Sequence, residues 1–189
     1  IRLPREVTLI GIDTGVRHPD AAEKYAHVRA ASFMGRTLVD RIVRHEGALS
    51  FAWDGAVARV PIAAYVQRFR DRIPIKLKGR EYLDLFGEID DPLSKVDPSA
   101  VYKVRSRTEH HIYENARALE FLECMRQSAR KAGDQALRRA GELMHASHWS
   151  YGQRCGLGSV ETDLLVNLVR QYGRDAEVML KIESRKGLE

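Results

Sequence analysis

The stretch RSRTEHHIYENARALEFLECMRQSAR, residues 105–130, decides the fold because it predicts one long amphipathic helix. Apolar side chains recur in it at intervals of three and four residues, the spacing of a single helix face. These side chains are Ile112, Ala116, Leu119, Leu122, Met125 and Ala129. Gly133 predicts the end of this helix, and Asp134 predicts the N-terminal cap of the next one.

Two further helices are predicted downstream of Asp134. The first has an inner face formed by Leu137, Ala140, Leu143, Met144 and Ser147. The second begins after a glycine turn, where Ser159 is predicted to cap it, and ends at Gly173. The apolar run Glu177–Ile182 (EVMLKI) then predicts a strand.

The N-terminal part predicts a strand followed by another long helix. Val7–Ile12 (VTLIGI) is a short β-branched run typical of a buried strand, and Asp20 predicts a helix cap. Gly35 falls on the apolar stripe of this helix, where glycine costs about 1 kcal/mol relative to alanine. We therefore expect another element to approach Gly35 closely. The order of elements predicts an α/β (α+β) fold that is rich in helices and has few strands.

Composition and charge exclude several classes of protein. The 189 residues carry 31 Lys and Arg against 26 Asp and Glu, a net charge of +5 dispersed along the chain. This predicts no nucleic-acid partner; a basic nucleic-acid-binding module is the alternative, and it would require steeply salt-dependent binding. No apolar run approaches the roughly 20 residues of a membrane span. The two cysteines form no disulfide framework, so we expect a cytoplasmic protein.

The residues themselves suggest three candidate sites, each with a structural alternative. Gly156, Gly158 and Ser159 precede a helix, where backbone N–H groups can bind an anion, although a simple tight turn with a serine cap is the favoured explanation. Asp13 follows the predicted first strand, as site residues of α/β folds often do, or it forms a turn. His145 and His148 share a helix face, but no third ligand is evident, so we predict no metal site.

Several segments, taken in order along the chain, resemble the L-arabinokinase and galactokinase branch of the GHMP kinase superfamily. The resemblance extends to about Gly173 and includes Leu143–Ser150, which matches the Leu-Met-x-x-Ser-His-x-Ser core of galactokinases. The segments are GIDTGVRH (Gly11–His18), Tyr25 with Val28 and Arg29, SFMGR (Ser32–Arg36), YLDLFGEIDDP (82–92), RSRTEHHIYENARALEFL (Arg105–Leu122), GELMHASHWSY (Gly141–Tyr151) and CGLGSVETDLLVNLV (Cys155–Val169).

The resemblance implies an enzyme that uses ATP and Mg²⁺ to phosphorylate the C1 hydroxyl of a monosaccharide of the arabinose or galactose type. It also implies that residues 1–100 form a middle region that leads into a ferredoxin-like C-terminal domain at residues 101–189, the whole forming one compact unit. A non-catalytic sugar sensor related to galactokinase is the alternative. The sequence upstream, with or without a phosphate loop and a catalytic Asp, would discriminate between the two.

The resemblance assigns residues as well. Tyr25 matches the tyrosine that lines the sugar pocket in galactokinase-like enzymes, and as an alternative it is a core aromatic. Arg29, Ser147 and His148 are candidates for supporting the pocket, as is Asp13. The family's Gly/Ser-rich ATP loop and its catalytic Asp are absent from this sequence, so we expect no catalytic residue here and an inactive isolated chain. They are expected in a missing N-terminal half of the same enzyme.

The family's nucleotide-side loop is degenerate in this sequence. Lys181 and Ile182 match its start, but residues 183–186 (Glu-Ser-Arg-Lys), three of them charged, replace the small residues of the family's Ala-Lys-Ile-Thr-Gly-Gly-Gly motif. Bulky side chains cannot follow a backbone path that only glycine adopts readily.

Overall fold

The computed structural model describes residues 7–8, 10–15, 21–47, 51–130 and 134–176, and these residues are mostly helical. The long elements are α1 (Ala21–Glu46), α3 (Gly79–Phe86), α4 (Val104–Arg130), α5 (Asp134–Ser150) and α6 (Val160–Ala176). Between α1 and α3 lies a helical segment made of α2 (Ile62–Ala64), a π-helical turn (Tyr65–Phe69) and a 3-10 turn (Arg70–Arg72). A single 3-10 turn, Val57–Arg59, precedes it.

The strands of the described residues form one short antiparallel pair. β1 (Leu77–Lys78) and β2 (Val101–Tyr102) pair Leu77 with Tyr102 and Lys78 with Val101. The chain divides into two compact units. The middle unit is Pro19–Asn115, and the terminal unit comprises Ile1–His18 and Ala116–Glu189.

The core of the middle unit is built from aromatic and aliphatic side chains of α1, the α2 segment, α3 and the start of α4. Tyr65, Phe69 and Ile73 are four residues apart and completely buried, so one face of the α2 segment packs inward. Tyr82 lies in the same core, and its hydroxyl donates to Thr37 Oγ1 at 2.9 Å. Other members of this core are Ala30, Ala31, Met34, Val39, Tyr102, Val104 and Ile112.

The close neighbour expected at Gly35 is Thr108 of α4. A Cβ atom at Gly35 would lie 1.9 Å from Thr108 Oγ1, far inside van der Waals contact. Thr108 is fully buried, and its hydroxyl donates to the carbonyl of Val104 at 2.9 Å. Glycine at position 35 therefore allows α1 and α4 to approach each other.

The terminal unit contains the second half of α4 together with α5 and α6. Cys124 and Met125 of α4 pack with Ala140 and Leu143 of α5, and Phe121 and Leu137 flank this cluster. The ion pair between Arg139 Nε and Glu120 Oε1, at 2.6 Å, joins the same two helices at the surface. The predicted inner face of α5 is confirmed at Ala140 and Leu143. On α4 the prediction holds at Ile112 and Met125 but is wrong at Leu119, which is 59% exposed, and Cys124 packs in its place.

The strand predicted at Val7–Ile12 is wrong for the residues that the structure describes there. Positions 7–8 and 10–15 have no regular secondary structure, and the side chains of Ile10 and Ile12 are 66% and 46% exposed. A β-branched run suits a strand, but a strand also requires a hydrogen-bonded neighbour. In the described residues, β1 and β2 pair with each other and not with this run.

Two predictions concern the C-terminal part. α6 does not end at Gly173 but continues to Ala176, because a single glycine weakens a helix without terminating it. The strand predicted at Glu177–Ile182 lies outside the described residues, as does Lys181. Within the described ranges, none of the helices combines the length and hydropathy that crossing a lipid bilayer requires.

Candidate functional site

The proposed sugar contact, Tyr25, lies in the second turn of α1 and is partly accessible. It is 40% exposed, whereas Val28, three residues later, is buried in the same helix. Arg29 follows Tyr25 by four residues, so the two side chains share one face of α1. Tyr25 is therefore not part of the buried stripe.

Arg29 is held by a bidentate ion pair with Asp91. Its Nε donates to Asp91 Oδ2 at 2.7 Å and its Nη2 donates to Asp91 Oδ1 at 2.8 Å. The Asp91 side chain is completely buried, and it also accepts hydrogen bonds from the Ser94 hydroxyl and, at 3.3 Å, from the backbone N–H of Leu93. The Arg29 hydrogen bond first, and then the Ser94 and Leu93 hydrogen bonds, hold the pKa of Asp91 well below its usual value.

A second basic side chain extends this face of α1. The guanidinium groups of Arg29 and Arg36 lie 5.1 Å and 5.8 Å from the centroid of the Phe33 ring. Arg36 Nη1 also lies 3.3 Å from Asp90 Oδ2, but the Asp90 side chain is 89% exposed. The loop that follows α3 is thus attached to α1 by one bidentate, partly buried ion pair and one exposed ion pair.

We expect the contribution of Asp91 to stability to disappear in acid. Because its folded pKa lies below its unfolded value of about 3.8, the contribution is complete above that value and is lost as the pH falls through the folded pKa. Urea denaturation at about pH 7, 5 and 3 should show Asp91→Asn less stable than wild type, by equal amounts at the two higher pH values and by a smaller amount at the lowest. A deficit that did not shrink in acid would contradict this assignment.

In the terminal unit, Ser147 and His148 are both buried in the last turn of α5. His148 Nε2 lies 2.7 Å from Oδ1 of Asp163, and the His148 side chain is 9% exposed. Asp163 belongs to the first turn of α6, where a carboxylate also complements the helix dipole. The contact therefore ties the end of α5 to the start of α6 across the glycine turn.

The turn between these helices is closed by its own backbone. Gly156 adopts a left-handed conformation with φ +71°, which favours glycine, and its N–H donates to the carbonyl of Gly152 at 2.9 Å. Gly158 packs so closely that a Cβ atom on it would lie 3.0 Å from Gly152 Cα. Both glycines therefore have a conformational or steric reason to be where they are.

Ser159 caps α6 as the sequence predicts. The backbone N–H of Thr162 donates to Ser159 Oγ at 3.3 Å, and the N–H of Ser159 donates to Thr162 Oγ1 at 3.1 Å. This reciprocal pair is a capping box with threonine in the position usual for Glu or Gln. An anion at the turn would have to compete with these bonds and with the carboxylates of Glu161 and Asp163.

The remaining candidates are simply placed. Asp13 lies in an exposed turn, where its Oδ1 accepts the N–H of Gly15 at 2.9 Å. Tyr25 and Arg29 are brought together in the middle unit, whereas Asp13, Ser147, His148 and the glycine turn belong to the terminal unit. Among the described residues, no group of three or more His, Cys, Asp or Glu side chains is arranged to hold a metal ion.

Sequence reasoning did not single out Asp91 or Asp163, the acidic partners of two predicted residues. Asp91 stands in YLDLFGEIDDP and Asp163 in CGLGSVETD, so both lie inside segments that carried the resemblance. These segments contain four and two acidic residues with no assigned function, so the sequence did not indicate which of them forms an ion pair. The basic residue that each would meet could not be read from spacing, because Arg29 and Asp91 are 62 positions apart.

Comparison with known proteins relates this chain to a sugar kinase. The relative is the L-arabinokinase of Arabidopsis thaliana, which is 26% identical over 197 aligned residues. The alignment covers 90% of this chain but 18% of the relative, so the chain spans less than a fifth of that protein's length. No protein-family model matches the chain, and no solved structure matches it significantly.

Proposed function

We propose that this chain is the C-terminal part of an ATP-dependent sugar kinase that phosphorylates the C1 hydroxyl of a monosaccharide of the arabinose or galactose type. The observation that carries the proposal is the similarity to L-arabinokinase over 90% of the chain. Motifs spread through both compact units support it, because a chance likeness would be confined to one short segment.

In this proposal the chain contributes to the sugar site. Tyr25 supplies a partly exposed phenol on α1, where a ring and a hydroxyl can together contact a sugar. Phosphoryl transfer depends mainly on positioning and on stabilisation of charge, so a part of the enzyme that orients the acceptor has a catalytic consequence.

The nucleotide chemistry belongs elsewhere in the same proposal. The sequence contains no phosphate loop and no counterpart of the family's catalytic Asp, so ATP and Mg²⁺ would be bound by groups outside these 189 residues. Residues 101–189 would correspond to the ferredoxin-like C-terminal domain of GHMP kinases, and residues 1–100 to the region that precedes it.

Substitution of Tyr25 tests the assigned sugar contact. In the native polypeptide that contains this chain, Tyr25→Phe should lower kcat/KM for the sugar about tenfold, the kinetic equivalent of one lost hydrogen bond of about 1.4 kcal/mol. The KM for ATP should not change. Steady-state phosphotransfer with L-arabinose and with D-galactose measures both constants.

Tyr113→Phe is the matched control for this substitution. It removes a phenol hydroxyl from α4, where the Tyr113 ring packs edge-on against Tyr65 with centroids 6.4 Å apart. We expect the control to retain the wild-type kcat/KM for the sugar. Equal constants for wild type and Tyr25→Phe would remove Tyr25 from the site.

A further inference from the structure

We propose that Asp91 is a positioning residue for the sugar site: through its bidentate, partly buried ion pair with Arg29 it fixes the first turns of α1 and hence the phenol of Tyr25. The inference rests on the proposed function, because it takes Tyr25 as a contact of the sugar. In this inference Asp91 does not reach the sugar and acts only through α1. Nothing in the resemblance assigns a role to Asp91.

The geometry of the pair is suited to orienting a helix. Two nearly parallel N–H···O bonds, of 2.7 and 2.8 Å, fix the guanidinium plane relative to the carboxylate, which a single bond cannot do. The carboxylate is itself held by Ser94 and by the N–H of Leu93. Both side chains are therefore held in place, and together they define how the loop that follows α3 lies against α1.

The charge of Arg29 is used within the protein. Nε and Nη2 are both engaged by Asp91, and the guanidinium lies 5.1 Å from the centroid of the Phe33 ring. A neutral monosaccharide offers no charge for Arg29 to neutralise. The ion pair therefore positions α1 relative to the loop that follows α3, and it does not bind the acceptor sugar by charge.

Tyr25 depends on this pair because of its place in the helix. α1 begins at Ala21, so Tyr25 lies close to the N-terminal end of α1, one turn before Arg29. Between them His27 stacks on Tyr102, with ring centroids 4.3 Å apart and planes 10° apart. The stack and the ion pair both hold the start of α1 in place. Without the ion pair, the stack alone would have to hold it, and the position of Tyr25 would be less well defined.

Asp90 provides a matched control. It is adjacent to Asp91 in the same loop and also pairs with an arginine of α1, but its side chain is 89% exposed and its contact with Arg36 is 3.3 Å. Asp90→Asn removes the same charge in the same segment without touching the Arg29–Asp91 pair. Surface ion pairs of this kind contribute little to stability.

The experiment compares Asp91→Asn, Arg29→Lys and Asp90→Asn in the native polypeptide, with ATP, Mg²⁺ and L-arabinose or D-galactose. We expect KM for the sugar to rise severalfold, up to about tenfold, in the first two variants, because misplacing the Tyr25 hydroxyl costs no more than removing it. Arg29→Lys keeps the charge but loses the fork that binds a carboxylate in two places. KM for ATP should stay at the wild-type value in all three variants, and Asp90→Asn should resemble wild type throughout.

Thermal unfolding of each variant shows whether it is folded at the assay temperature. If Asp91→Asn is unfolded at that temperature, Ser94→Ala takes its place, because it removes one hydrogen bond from the same carboxylate. We expect Ser94→Ala to raise the sugar KM as well, but by a smaller factor. An active wild type with a folded Asp91→Asn or Ser94→Ala variant that keeps the wild-type sugar KM overturns the inference alone. A wild type that phosphorylates no monosaccharide overturns the proposed function and this inference with it.

Discussion

Replacement of Gly35 by alanine should lower the free energy of unfolding by about 3 kcal/mol, at the upper end of the range for an overpacked core. The new Cβ would lie 1.9 Å from Thr108 Oγ1 and 3.1 Å from Thr108 Cβ. Thr108 is completely buried, so it cannot swing into solvent to relieve the contact. Either α1 and α4 must separate or the core must be repacked. Urea denaturation of wild type and variant measures the loss.

Two further variants isolate the cause of this loss. Gly152 lies in a π-helical turn, Tyr151–Cys155, that follows α5. Gly152→Ala places a Cβ where no atom lies within 4 Å, and we expect no loss of stability there, since alanine is the better helix former. In the background of Thr108→Ala, which lacks Oγ1, Gly35→Ala should cost distinctly less than in wild type. Equal costs in the two backgrounds would show that Thr108 is not the obstacle.

Phe69→Ala should destabilise the protein by about 3–5 kcal/mol, the usual cost of truncating a buried phenylalanine. Phe69 is completely buried between Tyr65 and Ile73 on the inner face of the α2 segment, and its ring lies edge-on to Phe51 with centroids 6.3 Å apart. The cavity left by the ring would remove contacts from several core side chains at once. The midpoint and slope of urea denaturation report this loss.

Leu85→Ala is the control for this truncation. Leu85 is 65% exposed on α3, and its truncation should change the free energy of unfolding by less than about 0.5 kcal/mol. A Phe69→Ala variant as stable as Leu85→Ala would mean that the α2 segment does not pack as the structure shows.

The long helices could be predicted from the sequence because their signals are local. The helical spacing in α4 and α5 and the cap at Ser159 require only residues within a few turns of one another. Both helices and the cap are confirmed, whereas Leu119 of the predicted α4 face is exposed. The expected neighbour of Gly35 is confirmed as well, although its identity as Thr108 needed the structure. A glycine within an otherwise apolar stripe indicates a close approach but does not say which element approaches.

The strands and the ion pairs could not be predicted in the same way, because they depend on residues distant in sequence. β1 and β2 have two residues each, too few for a pattern, and the longer apolar run at Val7–Ile12 is not a strand where it is described. In the sequence Asp91 is one of several polar residues in a loop, and its partner Arg29 lies 62 positions away. The turn at Gly156 and Gly158 was open to two interpretations, and its internal hydrogen bonds favour a structural role.

The most direct test of the central claim is a phosphotransfer assay of the native polypeptide that contains this chain, alongside the isolated 189 residues. Both are incubated with ATP, Mg²⁺ and a panel of monosaccharides that includes L-arabinose and D-galactose, and the product is located by phosphorus NMR. We predict a sugar 1-phosphate from the native polypeptide and none from the isolated chain. A native polypeptide inactive on every sugar, or an isolated chain that transfers phosphate by itself, would contradict the account.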